Sequence, residues 1–141
     1  MREIKFRCWD KQYKEMADVT AWLFSTNEID HSKNNGEPKS IDHFEIMKYT
    51  GLKDKNEKEL FEGDILKDSD SGFIYKNVSI GEVILGRDDH GLNYKAICVH
   101  AQHKDESGFI AILNDDHACY GVMASECEII GNIYENPELL K

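Results

Sequence analysis

The chain has 141 residues, 40% of them hydrophobic, with 27 acidic against 17 basic side chains and a formal net charge of −10. That length suits one domain with its own core, stable without metal or disulfides. No apolar run approaches the roughly 20 residues of a membrane span, the opening MREIKFRCWD lacks the apolar segment of a secretory signal, and the acidity opposes a phosphate backbone.

Residues 3–9 alternate, with Ile4, Phe6 and Cys8 on one face and Lys5 and Arg7 on the other, which is the period of a half-buried strand. Residues 16–24, MADVTAWLF, carry Val19, Thr20, Trp22 and Phe24 and read as a second strand, although Met16, Val19 and Leu23 also fit a helical face. A hairpin with residues 3–9 would bury Phe6 and Trp22. Residues 27–40 are polar, with Asn34-Asn35-Gly36 and Pro38 as turn signals, and predict an exposed excursion. The core resumes at Phe44, Ile46 and Met47.

Ile46–Lys67 is the clearest strand–turn–strand passage. Gly51 and Gly63 are its expected turning points, because glycine tolerates a positive φ. Leu60 and Phe61 return to the core, and Glu62-Gly63-Asp64 makes a sharp corner before Ile65-Leu66. Beyond it, short apolar runs alternate with polar turns: Phe73–Tyr75, Val78–Ile80, Gly81–Gly86, Leu92–Ala101, Gly108–Leu113, Tyr120–Met123 and Cys127–Tyr134. Asn136-Pro137 has the form of a helix start, with room for one turn. Many short strands between glycine-bearing turns predict a β-dominated, barrel-like fold. No segment repeats at a fixed period.

Cys8, Cys98, Cys119 and Cys127 form no CxxC pair and read as reduced, partly buried hydrophobes. Zinc would accept His100 or His103 together with Cys119 and Cys127, but these spacings match no zinc signature. Asp115-Asp116-His117 and Asp88-Asp89-His90 read as polar turns. Asp68–Gly72 opens like a calcium loop, yet Phe73 stands where glycine is required and Ser79 where the bidentate glutamate belongs. Asp64, at the corner, is expected to bond nearby backbone amides. No catalytic residue, metal or cofactor is assigned.

The opening MREIKFRCWD, the middle MKYTGLKDKNEKELFEGDIL and the ending EIIGNIYENPELL together resemble the YopX protein family of phages and prophages, over nearly the whole chain. The resemblance implies a mainly β protein with an SH3-like barrel core, from a phage or prophage gene acting in the bacterial cytoplasm. It carries no catalytic residue with it. One departure stands out: the family usually has glycine where this chain has Glu57, and Asn56-Glu57 suits a type I′ turn poorly.

The expectation is therefore a mainly β fold: a small SH3-like barrel core with extra strands, long loops and at most short helices, forming a single domain over residues 1–141. The expected role is that of a non-enzymatic phage or prophage accessory protein acting through a protein partner or self-association. Tyr49, Lys53, Glu62, Asp64 and Tyr134 are the candidate interaction surface. One alternative is a nucleic-acid-binding module, which needs a local basic patch. Another is a small metal-dependent enzyme, which needs converging His, Cys and carboxylate groups.

Overall fold

The structure, a computed structural model, describes residues 3–33, 36–87, 89–104, 110–114 and 122–141, with the backbone alone at 82–87, 93–97, 110–112 and 114. Strands β1 (Phe6–Asp10), β2 (Glu15–Leu23), β3 (Glu28–His31), β4 (Lys39–Ser40), β5 (Phe44–Lys53) and β6 (Glu59–Phe61) form one sheet in the order β4-β3-β2-β1-β5-β6. Strands β7 (Asp64–Asp68), β8 (Ile74–Arg87), β9 (Asn93–His103), β10 (Ile110–Asn114), β11 (Val122–Met123) and β12 (Cys127–Asn132) form a second, in the order β11-β10-β9-β8-β7-β12. Pairing is antiparallel apart from β10 with β11.

The two sheets share one connectivity. In each, successive strands lie side by side, and a late strand then returns to pair with the first. The return is made through a 3-10 turn of three residues, Ile41–His43 before β5 and Ala124–Glu126 before β12. Neighbouring strands lie about 4.8 Å apart, so in a flat sheet β4 and β5 would stand about 19 Å apart. The short link, with its flanking bonds, reaches only about 14 Å. The first sheet must therefore curl, and the same reasoning holds more strongly for the second, where β11 and β12 are one strand further apart. A faint echo follows each turn: Phe44-Glu45-Ile46-Met47 and Cys127-Glu128-Ile129-Ile130, each beginning with a buried residue.

Among the described residues neither curled sheet closes on itself by hydrogen bonding. The mainly β fold expected from the sequence is present as two sheets, with no closed barrel among the described residues. The exposed excursion expected at 27–40 also needs correcting. It contains β3 and β4, and Ile29 and His31 within it are 0% and 4% exposed. Ile29 is the single apolar residue of EIDH, too little for a visible alternation, but it pairs with Trp22 across the ladder and is buried there. Asn34-Asn35 lies outside the described residues.

Gly51 turns out to be a bulge inside β5, with φ +86° and a register shift between Tyr49 and Lys53, and not a chain reversal. Gly63 is the corner expected, at φ +87°. Lys76-Asn77 interrupts no strand; β8 runs through it with a bulge. The C-terminal turn is Pro137–Leu140, but Asn136 makes no side-chain cap there. Its Oδ1 accepts the Asn132 amide instead (3.2 Å), in space that a Cβ on Gly131 would invade, 2.5 Å away.

Among the described residues three apolar clusters fill the interior. Cys8, Ala17, Ile29 and Phe44 fill the first sheet. Leu66, Tyr75, Val78, Val99, Ala101 and Cys127 fill the second, joined by Leu60 from the first sheet's edge. Met47, Tyr49 and Phe61 pack with Trp9, Met16 and Tyr134, which come from both ends of the chain.

The loop between β5 and β6 explains the departure at Glu57. The Glu57 amide donates to the Asp54 carbonyl (3.1 Å), and the Asp54 amide to that of Lys58 (2.9 Å). Of Lys55, Asn56 and Glu57, Glu57 alone is left-handed, at φ +64°. The loop therefore needs one glycine-like position, where a type I′ turn needs two. Glu57→Gly should raise stability by about 0.5–1 kcal/mol, the left-handed strain less the entropy of an added glycine. Urea unfolding of the two proteins measures this.

Candidate functional site

The residues singled out at the Gly63 corner gather where the two sheets meet. Arg7 on β1 reaches Asp64 at the start of β7, with Nη2 to Oδ1 at 2.6 Å. The side chains are 13% and 1% exposed. The other carboxylate oxygen, Oδ2, accepts the Phe61 amide at 2.8 Å. Nη2 of Arg7 also donates to the Glu62 carbonyl (3.3 Å), and its guanidinium lies 4.8 Å from the centre of the Phe61 ring. Glu62 accepts the Lys48 amide through Oε1 (2.9 Å) and donates its own amide to the Lys48 carbonyl (3.0 Å). Gly63 donates to Val78 and accepts from Ile133, at 2.8 and 2.9 Å.

Asp54 makes a second link. Its Oδ1 accepts the amides of Asn56 and Lys58, each at 2.9 Å, and its Oδ2 accepts the Ile129 amide at 3.0 Å. With the Lys55 amide donating to Cys127, this loop lies along the outer edge of β12. Asn132 holds the last corner, its Oδ1 accepting the amides of Tyr134 and Glu135. Tyr134 then stacks on Trp9, with 5.9 Å between ring centres.

Tyr49 and Asp64 are interior residues, so they cannot themselves touch a partner. Glu62 and Tyr134 are half-buried, and Lys53 is exposed. The five expected contact residues thus surround a joint, and four of them build it. His100 and His103 also separate: His103 is buried against Phe73 and Tyr75, whereas His100 points to the opposite face of β9. Cys119, Asp88 and the Asp115–His117 cluster lie outside the described residues. Among the described residues no group of three His, Cys, Asp or Glu side chains is placed to hold a metal.

The open feature that the sequence reading missed is a groove on the first sheet, of about 440 Å³. Ile4, Phe6, Val19, Trp22 and Phe61 line it, with Lys5, Asp18 and Glu59 among its polar residues. Phe6 meets Trp22 edge-on at 5.4 Å, and Trp22 stacks with Phe24 at 5.3 Å. Phe24 and Ile4 are 79% and 75% exposed. The indole Nε1 of Trp22 is buried and has no hydrogen-bond partner. Lys5 bonds Glu59 and Glu3, so the rim is acidic on balance. The available signal was the run Trp22-Leu23-Phe24, which holds more apolar residues than one face of a strand can bury.

Burial pushes the Asp64 carboxyl up; the Arg7 charge and the Phe61 amide oppose this without cancelling it. The folded chain thus holds the Asp64 proton more tightly than the unfolded chain. That stabilisation is complete below the ordinary value of 3.8 and is lost as pH rises through the folded value. Arg7→Met, which leaves the carboxylate buried alone, should cost about 3–5 kcal/mol at pH 8 and less at pH 5, in paired urea titrations. Burial first, then nearby carboxylates, pushes the thiols of Cys8 and Cys127 up to about 12. Iodoacetamide at pH 8 should leave both unmodified in the folded protein and label both in guanidinium, as read by peptide mass mapping.

No curated protein matches the chain. The crystal structure of protein EF1440 from Enterococcus faecalis is similar to it, with 26% identity and a TM-score of 0.52, covering 100% of both chains. The family described as YopX protein matches residues 5–141. The chain belongs to the YopX protein family.

Proposed function

We propose that this chain is a non-enzymatic accessory protein of phage or prophage origin, working in the bacterial cytoplasm by holding a segment of a partner protein in the groove beside Trp22. The exposed Phe24 and Ile4 around a buried, unpaired indole N–H carry this reading. Aromatic side chains are prominent among the few residues that carry most of the binding energy in protein contacts. Glu3, Asp18 and Glu59 outnumber Lys5 at the rim. The matching occupant is an extended segment with apolar residues flanked by Lys or Arg.

The non-enzymatic reading is supported by how the buried polar groups are used. Asp64, Asp54 and Asp10 accept backbone amides, and Nδ1 of His31 accepts the Lys33 amide. A foreign partner is favoured over self-pairing of strand edges. The edges at β4, β6 and β11 are two or three residues long, and the Asp54 loop bonds that of β12.

Selection from a displayed random-peptide library should enrich apolar sequences flanked by basic residues. Phe24→Ala should weaken the best peptide about tenfold or more, with little change in melting temperature. Enrichment of acidic sequences, or unchanged binding by Phe24→Ala, would overturn the proposal.

A further inference from the structure

The second sheet carries a different site, independent of the aromatic groove. Tyr75, Val78, Val99, Ala101 and His103 face the core. The alternation of β8 and β9 therefore leaves Lys76, Ser79, His100 and Gln102 on the outer face. These four side chains and Asn77 line a recess of about 360 Å³, which Ile133 and Leu140 complete from the C-terminal segment.

Two features set this recess apart. Its walls hold a cation, an imidazole, two amides and a hydroxyl, and no carboxylate. The groove on the first sheet contains Asp18 and Glu59, the recess beside His31 contains Asp10, Glu15 and Glu37, and that beside Gly51 contains Asp54 and Glu57. In a chain of net charge −10, this recess is lined by hydrogen-bond donors and by no acidic side chain. Among the described residues the side chains of Lys76, His100 and Gln102 have no hydrogen-bond or ion-pair partner. The second feature is the backbone. A bulge between Lys76 and Ser79 breaks the β8–β9 register at the middle of the sheet, with Asn77 held at φ +55°. Such bulges re-aim side chains and recur beside binding sites.

We propose that this recess binds a small organic oxyanion, a phosphate monoester or a carboxylate. Lys76, His100 and Gln102 hold the charged end, and Ile133 and Leu140 pack on the apolar body. Lys76 supplies the charge, His100 and the amides of Asn77 and Gln102 supply directional donors, and the volume suits a small molecule.

The test is a titration of the full chain, observed through backbone amide NMR shifts at low ionic strength. The probes are inorganic phosphate, phenyl phosphate and benzoate. Phenyl phosphate or benzoate should saturate, moving amides of residues 75–80 and 98–103, and bind more tightly than inorganic phosphate. The tighter of the two names the headgroup. Lys76→Gln should weaken that binding about tenfold or more. His100→Ala should weaken it too, and Lys53→Gln, on the other sheet, should leave it unchanged. Lys76 and His100 lie on an outer face, so both variants should melt as the parent does. Shifts that grow without saturating, or binding unaltered by Lys76→Gln, would overturn the proposal.

Discussion

A buried ion pair, Arg7 with Asp64, sits where the two sheets of this protein meet. Taking a guanidinium and a carboxylate into the interior costs several kcal/mol per ion, and their attraction recovers this only with good geometry and further bonds. Here the carboxylate also holds the Phe61 amide, and the guanidinium also holds the Glu62 carbonyl and covers the Phe61 ring, which offsets part of the burial cost and still leaves the carboxyl raised. The pair ties β1 to the start of β7 beside the apolar cluster that Trp9, Met47, Phe61 and Tyr134 share.

The segments that carry the family resemblance are the segments that make this joint. Thr50 bonds the Leu60 carbonyl, Asp54 ties its own loop to β12, Glu62 extends the β5 ladder, and Asn132 folds the C-terminal corner. Their side chains work as supplementary backbone partners at places where strands end and carbonyls or amides would otherwise go unmet. Polar residues in such a pattern resemble a site when read along a sequence, and here they are architecture. The groove beside Trp22 and the recess beside His100 lie on opposite sheets.

What the sequence disclosed was local. The alternation of residues 3–9 and the β-branched and aromatic run of 16–24 gave the first hairpin, and Gly63 beside Asp64 gave the corner. What it hid depended on distance. Ile29 has no apolar neighbours in its own strand and is buried by residues of other strands, Cys8, Ala17 and Phe44 with Trp22 across the ladder. Asn136 looks like a helix cap until Asn132 is seen four residues back. The division into two sheets could not be read, because residues 41–43 and 124–126 show only where the chain bends, not which strand it rejoins. The groove was obscured because Phe24, read alone, counts as one more core residue.

The span between the paired charges also sets an order of events. Arg7 and Asp64 are 57 positions apart, and a ribosome delivers the guanidinium long before its carboxylate. All of β1 to β5 is made first, including the returning strand that completes the first curl. Through that interval Arg7 must stay hydrated, holding open the face onto which Phe61 and Tyr134 will later close. The Gly63 corner then supplies the carboxylate, and Tyr134, made last of the three, completes the cover.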